Sequence, residues 1–133
     1  MRTFALALAT AAALAGPALA KDDAPAPPSA VKFAQVPGDA VLSYNLIGLN
    51  VVDGSNSNVG EIKDLVIEKG KLAGYVLSVG GFLGIGEHYV VVDPSSVALT
   101  YDEGGKKWKA SVNATKDQLK VAPQFKYEGK YKR

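Results

Sequence analysis

The chain has 133 residues, a formal net charge of +2 and no cysteine. That length accommodates one domain and little more. The lack of cysteine excludes a disulfide framework and a lipid-bearing N-terminal thiol.

Residues 1–20 read as a secretory signal. Arg2 supplies a short positive region, Phe4 to Leu14 an apolar stretch, and Ala18-Leu19-Ala20 a small-x-small cleavage pattern. The apolar run falls short of the ~20 residues that a membrane span needs, so cleavage after Ala20 is expected. An Ala-rich signal on a chain without disulfides fits a bacterial exported protein, and the expected location is periplasmic or secreted. Residues 21–40 follow as a linker: Pro25, Pro27, Pro28 and Pro37 among Ala and charged residues favour extended backbone with little to bury.

From Leu46 the pattern changes to short β runs separated by turn residues. Ile47, Leu49 and Val51 alternate with Gly48 and Asn50 as in a half-buried strand, and Asp53 to Asn58 forms a polar turn. Gly60 to Glu68 is a second strand whose alternation slips between Ile62 and Leu65, which predicts a bulge. Lys69-Gly70 makes a hairpin into Leu72–Val79, where Ala73, Tyr75, Leu77 and Val79 share a face.

The next stretch, Ser78 to Glu87, interleaves Gly80, Gly81, Gly84 and Gly86 with Phe82, Leu83 and Ile85. Clustered glycine between strands indicates a tight irregular connection, and its large apolar residues are expected to plug the fold. His88 to Val92 reads as a strand covered on both faces. Asp93-Pro94-Ser95-Ser96 turns the chain, Val97, Leu99 and Tyr101 alternate, and Asp102 to Gly105 turns it again. Trp108, Ala110 and Val112 then alternate with Lys107, Lys109 and Ser111. Thr115-Lys116-Asp117-Gln118 fits a capping box, with Ala114 and Leu119 as a hydrophobic staple and Pro123 ending the helix. That helix is expected to lie across one opening of the fold. Residues 126–133 read as a basic, partly ordered tail after Phe125, with Tyr127 and Tyr131 among lysines. The fold class is mainly β: a small closed or partly open antiparallel β-barrel of about six strands with one short C-terminal helix, spanning residues 41–125.

Candidate chemistry is thin. Gly81-x-x-Gly84-x-Gly86 reverses the dinucleotide fingerprint and opens a strand, so no helix N-terminus follows to hold a phosphate. Asp53, Ser55, Ser57 and Asp64 approach calcium-loop spacing. However, Asn58 stands where the loop wants Gly, and Asp64 where it wants a bidentate Glu. His88 is the sole histidine, so neither a zinc cluster nor a Ser-His-Asp set can be assembled. No cofactor, metal or catalytic residue is expected, and the chain is read as a non-enzyme. The basic C-terminal residues lack an aromatic-basic recognition pattern, so nucleic acid is not an expected partner.

Four runs occur in the order seen in PRC-barrel domains: Leu46 to Val51, Val59-Gly60-Glu61-Ile62-Lys63-Asp64-Leu65-Val66-Ile67, Gly80 to Glu87, and Ala114 to Leu119. The chain resembles the exported single-domain members of that family in Gram-negative bacteria. Relatives include the cytoplasmic part of a photosynthetic reaction-centre H subunit and the C-terminal domain of a ribosome-maturation factor. The resemblance implies a compact, mostly antiparallel barrel and an adaptor or assembly role through protein contacts, in the cell envelope or in stress. It brings no catalytic set. Whatever part of Phe82, Leu83 and Ile85 stays exposed is the expected partner contact, including contact with a second copy. The alternatives are a small ligand held at a barrel mouth near Tyr75, Phe82 and Tyr89, or attachment of the basic tail to an anionic membrane surface or polymer.

Overall fold

The structure, a computed structural model, describes residues 30–80 and 86–133. The signal-like residues therefore lie outside the described residues, as do Phe82, Leu83 and Ile85. The chain divides into two compact units, Met1–Val36 and Pro37–Arg133. In the first, residues 30–36 carry no regular secondary structure. The second holds the barrel.

That unit runs α1 (Ser43–Leu46), β1 (Asn50–Val52), β2 (Asn58–Glu68), β3 (Lys71–Val79), β4 (His88–Val92), a 3-10 turn (Pro94–Ser96), β5 (Val97–Asp102), β6 (Lys107–Val112) and α2 (Lys116–Lys120). A second 3-10 turn, Gly129–Tyr131, follows near the end. The strands form one six-stranded sheet in the order β4-β3-β2-β1-β6-β5. The hairpin residues Lys69 and Gly70 both have positive φ, 50° and 80°, the backbone of a tight turn that follows the strand twist. The anticipated bulge in β2 lies between Ile62 and Asp64, and a second register shift follows between Val66 and Ile67.

Three expectations need correction. The sheet is mixed, because β1 and β6 run parallel. The cause is Asp93–Ser96, which bends the chain through a 3-10 turn where a reversal was expected. Asp93 caps that turn, accepting from the Ser95 N–H at 2.8 Å and from the Ser95 hydroxyl. With no reversal, β5 continues in the direction of β4, and its hairpin partner β6 returns parallel to β1. The same bend curls the sheet. β4 and β5 are its two edges, and a flat sheet of this size would hold them ~24 Å apart. The short link from Val92 to Val97 reaches at most ~17 Å, so the edges meet at this corner. The result is a partly open barrel whose strands do not close by hydrogen bonds.

The second correction concerns β1, which starts at Asn50, not at Ile47. Gly48 has φ +93°, which changes the phase of the chain so that Leu46 is buried and Ile47 is exposed. The Gly48 N–H still donates to the Ile62 carbonyl at 2.8 Å.

Val51, Val59, Ile62, Val76, Leu77, Val79 and Val90 are the most enclosed side chains; all but Val76 join Tyr75, Val97, Ala110, Val112 and Leu119 in the core. Third, β3 is the strand covered on both faces, from Gly74 through Val79; β4 is not, since Val91 is 43% exposed. Backbones approach closely beside β3. A Cβ on Gly60 would come within 2.7 Å of the Ser78 carbonyl oxygen, so only glycine fits. The capping box forms at α2: Gln118 N–H donates to Thr115 Oγ1 at 3.1 Å, and Thr115 N–H to Gln118 Oε1 at 2.8 Å. Leu119 thereby reaches the core.

Candidate functional site

Pairing across β3 and β4 sorts the sequence-derived candidates. Tyr75 pairs with Val92 and Leu77 with Val90, pointing inward; Val76 pairs with Val91 and Ser78 with Tyr89, pointing outward. Tyr75 is 4% exposed and part of the core, where burial pushes its phenol pKa up. Tyr89 lies on the outer face. The two tyrosines occupy opposite faces of the sheet and do not line a common mouth.

The outer face carries a polar cluster at the point where the glycine-rich connection re-enters the sheet. Glu87, directly before β4, accepts hydrogen bonds from the Ser78 hydroxyl and, at 2.7 Å, from the Tyr89 hydroxyl. Lys63 Nζ lies 3.8 Å from the same carboxylate and 3.8 Å from Glu61. The two hydroxyl donors, with Ser78 first, hold the Glu87 pKa below the ordinary carboxylate value of 4.5, aided by the Lys63 charge. The hydrogen bond to Glu87 and burial raise the Tyr89 pKa. The lowered pKa makes Glu87 a weak proton acceptor near neutrality. The cluster acts as a clamp that ties the start of β4 to β2 and β3. A polar cleft of about 320 Å³ opens beside it, between β2 and Lys116 of α2.

A second surface is built by the residues expected to be a tail. The Phe125 N–H donates to the Tyr89 carbonyl at 2.7 Å, forming an antiparallel bridge on the free edge of β4. His88 Nε2 donates to the Ala122 carbonyl at 3.2 Å and holds the approach to that bridge. The chain then folds over the outer face. Tyr127 packs edge-on against Tyr89 and Phe125, at centroid distances of 5.2 and 5.0 Å. Its hydroxyl donates to Asp64 at 3.2 Å. Burial, followed by the Asp64 charge, pushes the Tyr127 pKa up to about 12. Tyr131 packs at 6.0 Å from Phe125, and the Arg133 guanidinium sits 5.0 Å from the Tyr127 ring centre.

Between this aromatic wall and the outer face of β2, β3 and β4 runs a groove of about 450 Å³. Its outer-face floor is Val66, Ile67, Val76 and Val91, and Asp64 and Arg133 are its charged members. Ile67 and Val91 remain 61% and 43% exposed. Tyr89 joins the two surfaces, with its ring against Tyr127 and its hydroxyl on Glu87. Sequence reading missed the groove because its wall lies far along the chain from its floor. The available signal was three aromatics, Phe125, Tyr127 and Tyr131, within seven residues, too apolar for a solvated tail.

Compared with known families, residues 38–119 match the model of the PRC-barrel domain, more than half of the chain. No curated protein matches the chain. The matched residues contain the barrel, the Glu87 clamp and the groove floor; the aromatic wall lies beyond them.

Proposed function

Because the chain belongs to the PRC-barrel family, whose domains are in general non-catalytic modules for protein–protein contact, we propose that it is a non-enzymatic adaptor exported to the periplasm. Export rests on the signal-like residues 1–20. The adaptor role rests on the half-open apolar groove on the outer face of the sheet, where Ile67 and Val91 stay exposed beside an aromatic wall. Exposed apolar surface rimmed by polar groups is the usual mark of a contact site. The packed interior, with Ile62, Leu77 and Val90 filling it, disfavours a ligand held inside the barrel.

The test is affinity capture of the tagged full chain from an osmotic-shock fraction, with mass spectrometry of both bait and prey. The adaptor reading expects a bait that begins at Lys21 and a partner that survives salt washing. A bait retained unprocessed in the cytoplasm would overturn export. A processed bait with no reproducible partner would overturn the adaptor role.

A further inference from the structure

We propose that the groove between β2–β4 and residues 125–133 binds a short extended segment of a partner protein, apolar at alternate positions and flanked by acidic residues. This rests on the adaptor reading above and specifies its occupant. The shape argument comes from the floor. It follows the β2 residues Asp64, Val66 and Ile67, which the register shift after Val66 keeps on the outer face, and crosses to Val76 and Val91 on the neighbouring strands. An extended segment laid along that strand rises ~3.3 Å per residue and turns every second side chain toward the floor. Its intervening side chains face solvent. Tyr127 and Tyr131 supply the opposing rings, and aromatic walls give large contact area at low conformational cost.

The charge argument comes from the wall. Residues 126–133 contain Lys126, Lys130, Lys132 and Arg133 against one acid, Glu128. Asp64, the acid in the groove, already accepts the Tyr127 hydroxyl. Arg133 and Lys130 are held near the Tyr127 and Tyr131 rings, at 5.0 and 5.3 Å from their centres, which places their charge beside the aromatic wall. An acidic flank on the occupant meets this rim favourably, and a basic flank is repelled. The rim also sets what fails to bind, as discrimination requires.

The probe is a fluorescein-labelled peptide, Asp-Asp-Val-Thr-Phe-Thr-Val-Asp-Asp, titrated with the full chain by polarisation at low and physiological salt. A second probe replaces each Asp with Lys. The Asp probe is expected to bind about tenfold tighter than the Lys probe, with the gap narrowing as salt rises. Val91→Asp, which charges the exposed floor, is expected to abolish binding. Arg133→Glu, at an exposed position outside the strands, is expected to weaken the Asp probe while strengthening the Lys probe. Equal affinity for the two probes, or indifference to both variants, would overturn the proposal. So would binding to vesicles containing anionic phosphatidylglycerol that is lost in Arg133→Glu, or a dimer by light scattering that is lost in Val91→Asp. Those outcomes assign the surface to lipid or to a second copy. The capture experiment run with Val91→Asp separates the two levels: a partner retained equally by both baits overturns the groove assignment and leaves the adaptor role standing.

Discussion

Replacing Glu87 with Gln tests the clamp that fixes the start of β4. At neutral pH the Glu87 carboxylate accepts two hydroxyl hydrogen bonds, from Ser78 and Tyr89, and its side chain is only 15% exposed. Ser78 is 5% exposed, so water cannot readily replace its acceptor. A charge-assisted hydrogen bond is about twice as strong as a neutral one, and a typical net contribution is about 1 kcal/mol. Glu87→Gln keeps the shape and removes the charge, so the loss is about 1–2 kcal/mol at pH 7. The Lys63 contact at 3.8 Å adds little, being long and partly exposed. The sign of the pH dependence follows from the direction of the shift. The folded-state pKa of Glu87 is lowered, so its stabilisation is fully present above the ordinary value of 4.5 and is lost as pH falls through the folded value. Urea unfolding followed by the fluorescence of Trp108, the sole tryptophan, should show the variant less stable at pH 7. The gap should shrink as pH falls below 4.5 and through the lowered folded-state value, where Glu87 itself becomes protonated. Other carboxylates titrate in both proteins and cancel in the difference. Equal midpoints at pH 7, or a gap unchanged at acid pH, would refute the clamp.

Four further predictions concern separate positions. Gly60→Ala places a Cβ within 2.7 Å of the Ser78 carbonyl oxygen, a backbone atom that cannot swing away; a loss of about 1–3 kcal/mol is expected in urea. Gly54→Ala, with nothing within 4 Å, should stay within about 0.5 kcal/mol of the parent. Thr115→Ala removes the acceptor of the Gln118 N–H and should cost about 1 kcal/mol, with Thr115→Ser restoring most of it. Tyr127, with its pKa pushed up to about 12, should ionise late in an absorbance titration at 295 nm. The missing late step in Tyr127→Phe would identify it. Because that pKa is raised on folding, the Tyr127 contribution is present below pH 10 and declines as pH rises toward 12. The parent should therefore lose more stability than Tyr127→Phe over that interval.

Local signals made much of the barrel legible. Lys69-Gly70, the slip between Ile62 and Leu65, the alternation Trp108-Ala110-Val112 and the Thr115–Gln118 box each specify their geometry within a few residues, and each has its structural counterpart. The four PRC-barrel runs likewise sit within the matched residues 38–119. Legibility ended where the outcome depended on remote partners. Tyr75 and Tyr89 both read as barrel-rim aromatics, but the β3–β4 register puts one inside and one outside. A one-residue difference in phase decides a side chain's face, and composition does not carry that phase.

The sequence by itself determined the β class, the hairpins, the bulge and the helix cap, because these follow from side-chain periodicity and from hydrogen bonds closed between near neighbours. Tertiary structure decided the bend at Asp93–Ser96, which carries β5 to the other edge of the sheet and makes β6 parallel to β1. It also decided the fate of residues 125–133. A basic, aromatic segment reads as a tail until a bridge to Tyr89 and a contact with Asp64 lay it over the sheet. Each of those contacts joins residues tens of positions apart, so only the folded chain brings them together and opens the groove between them.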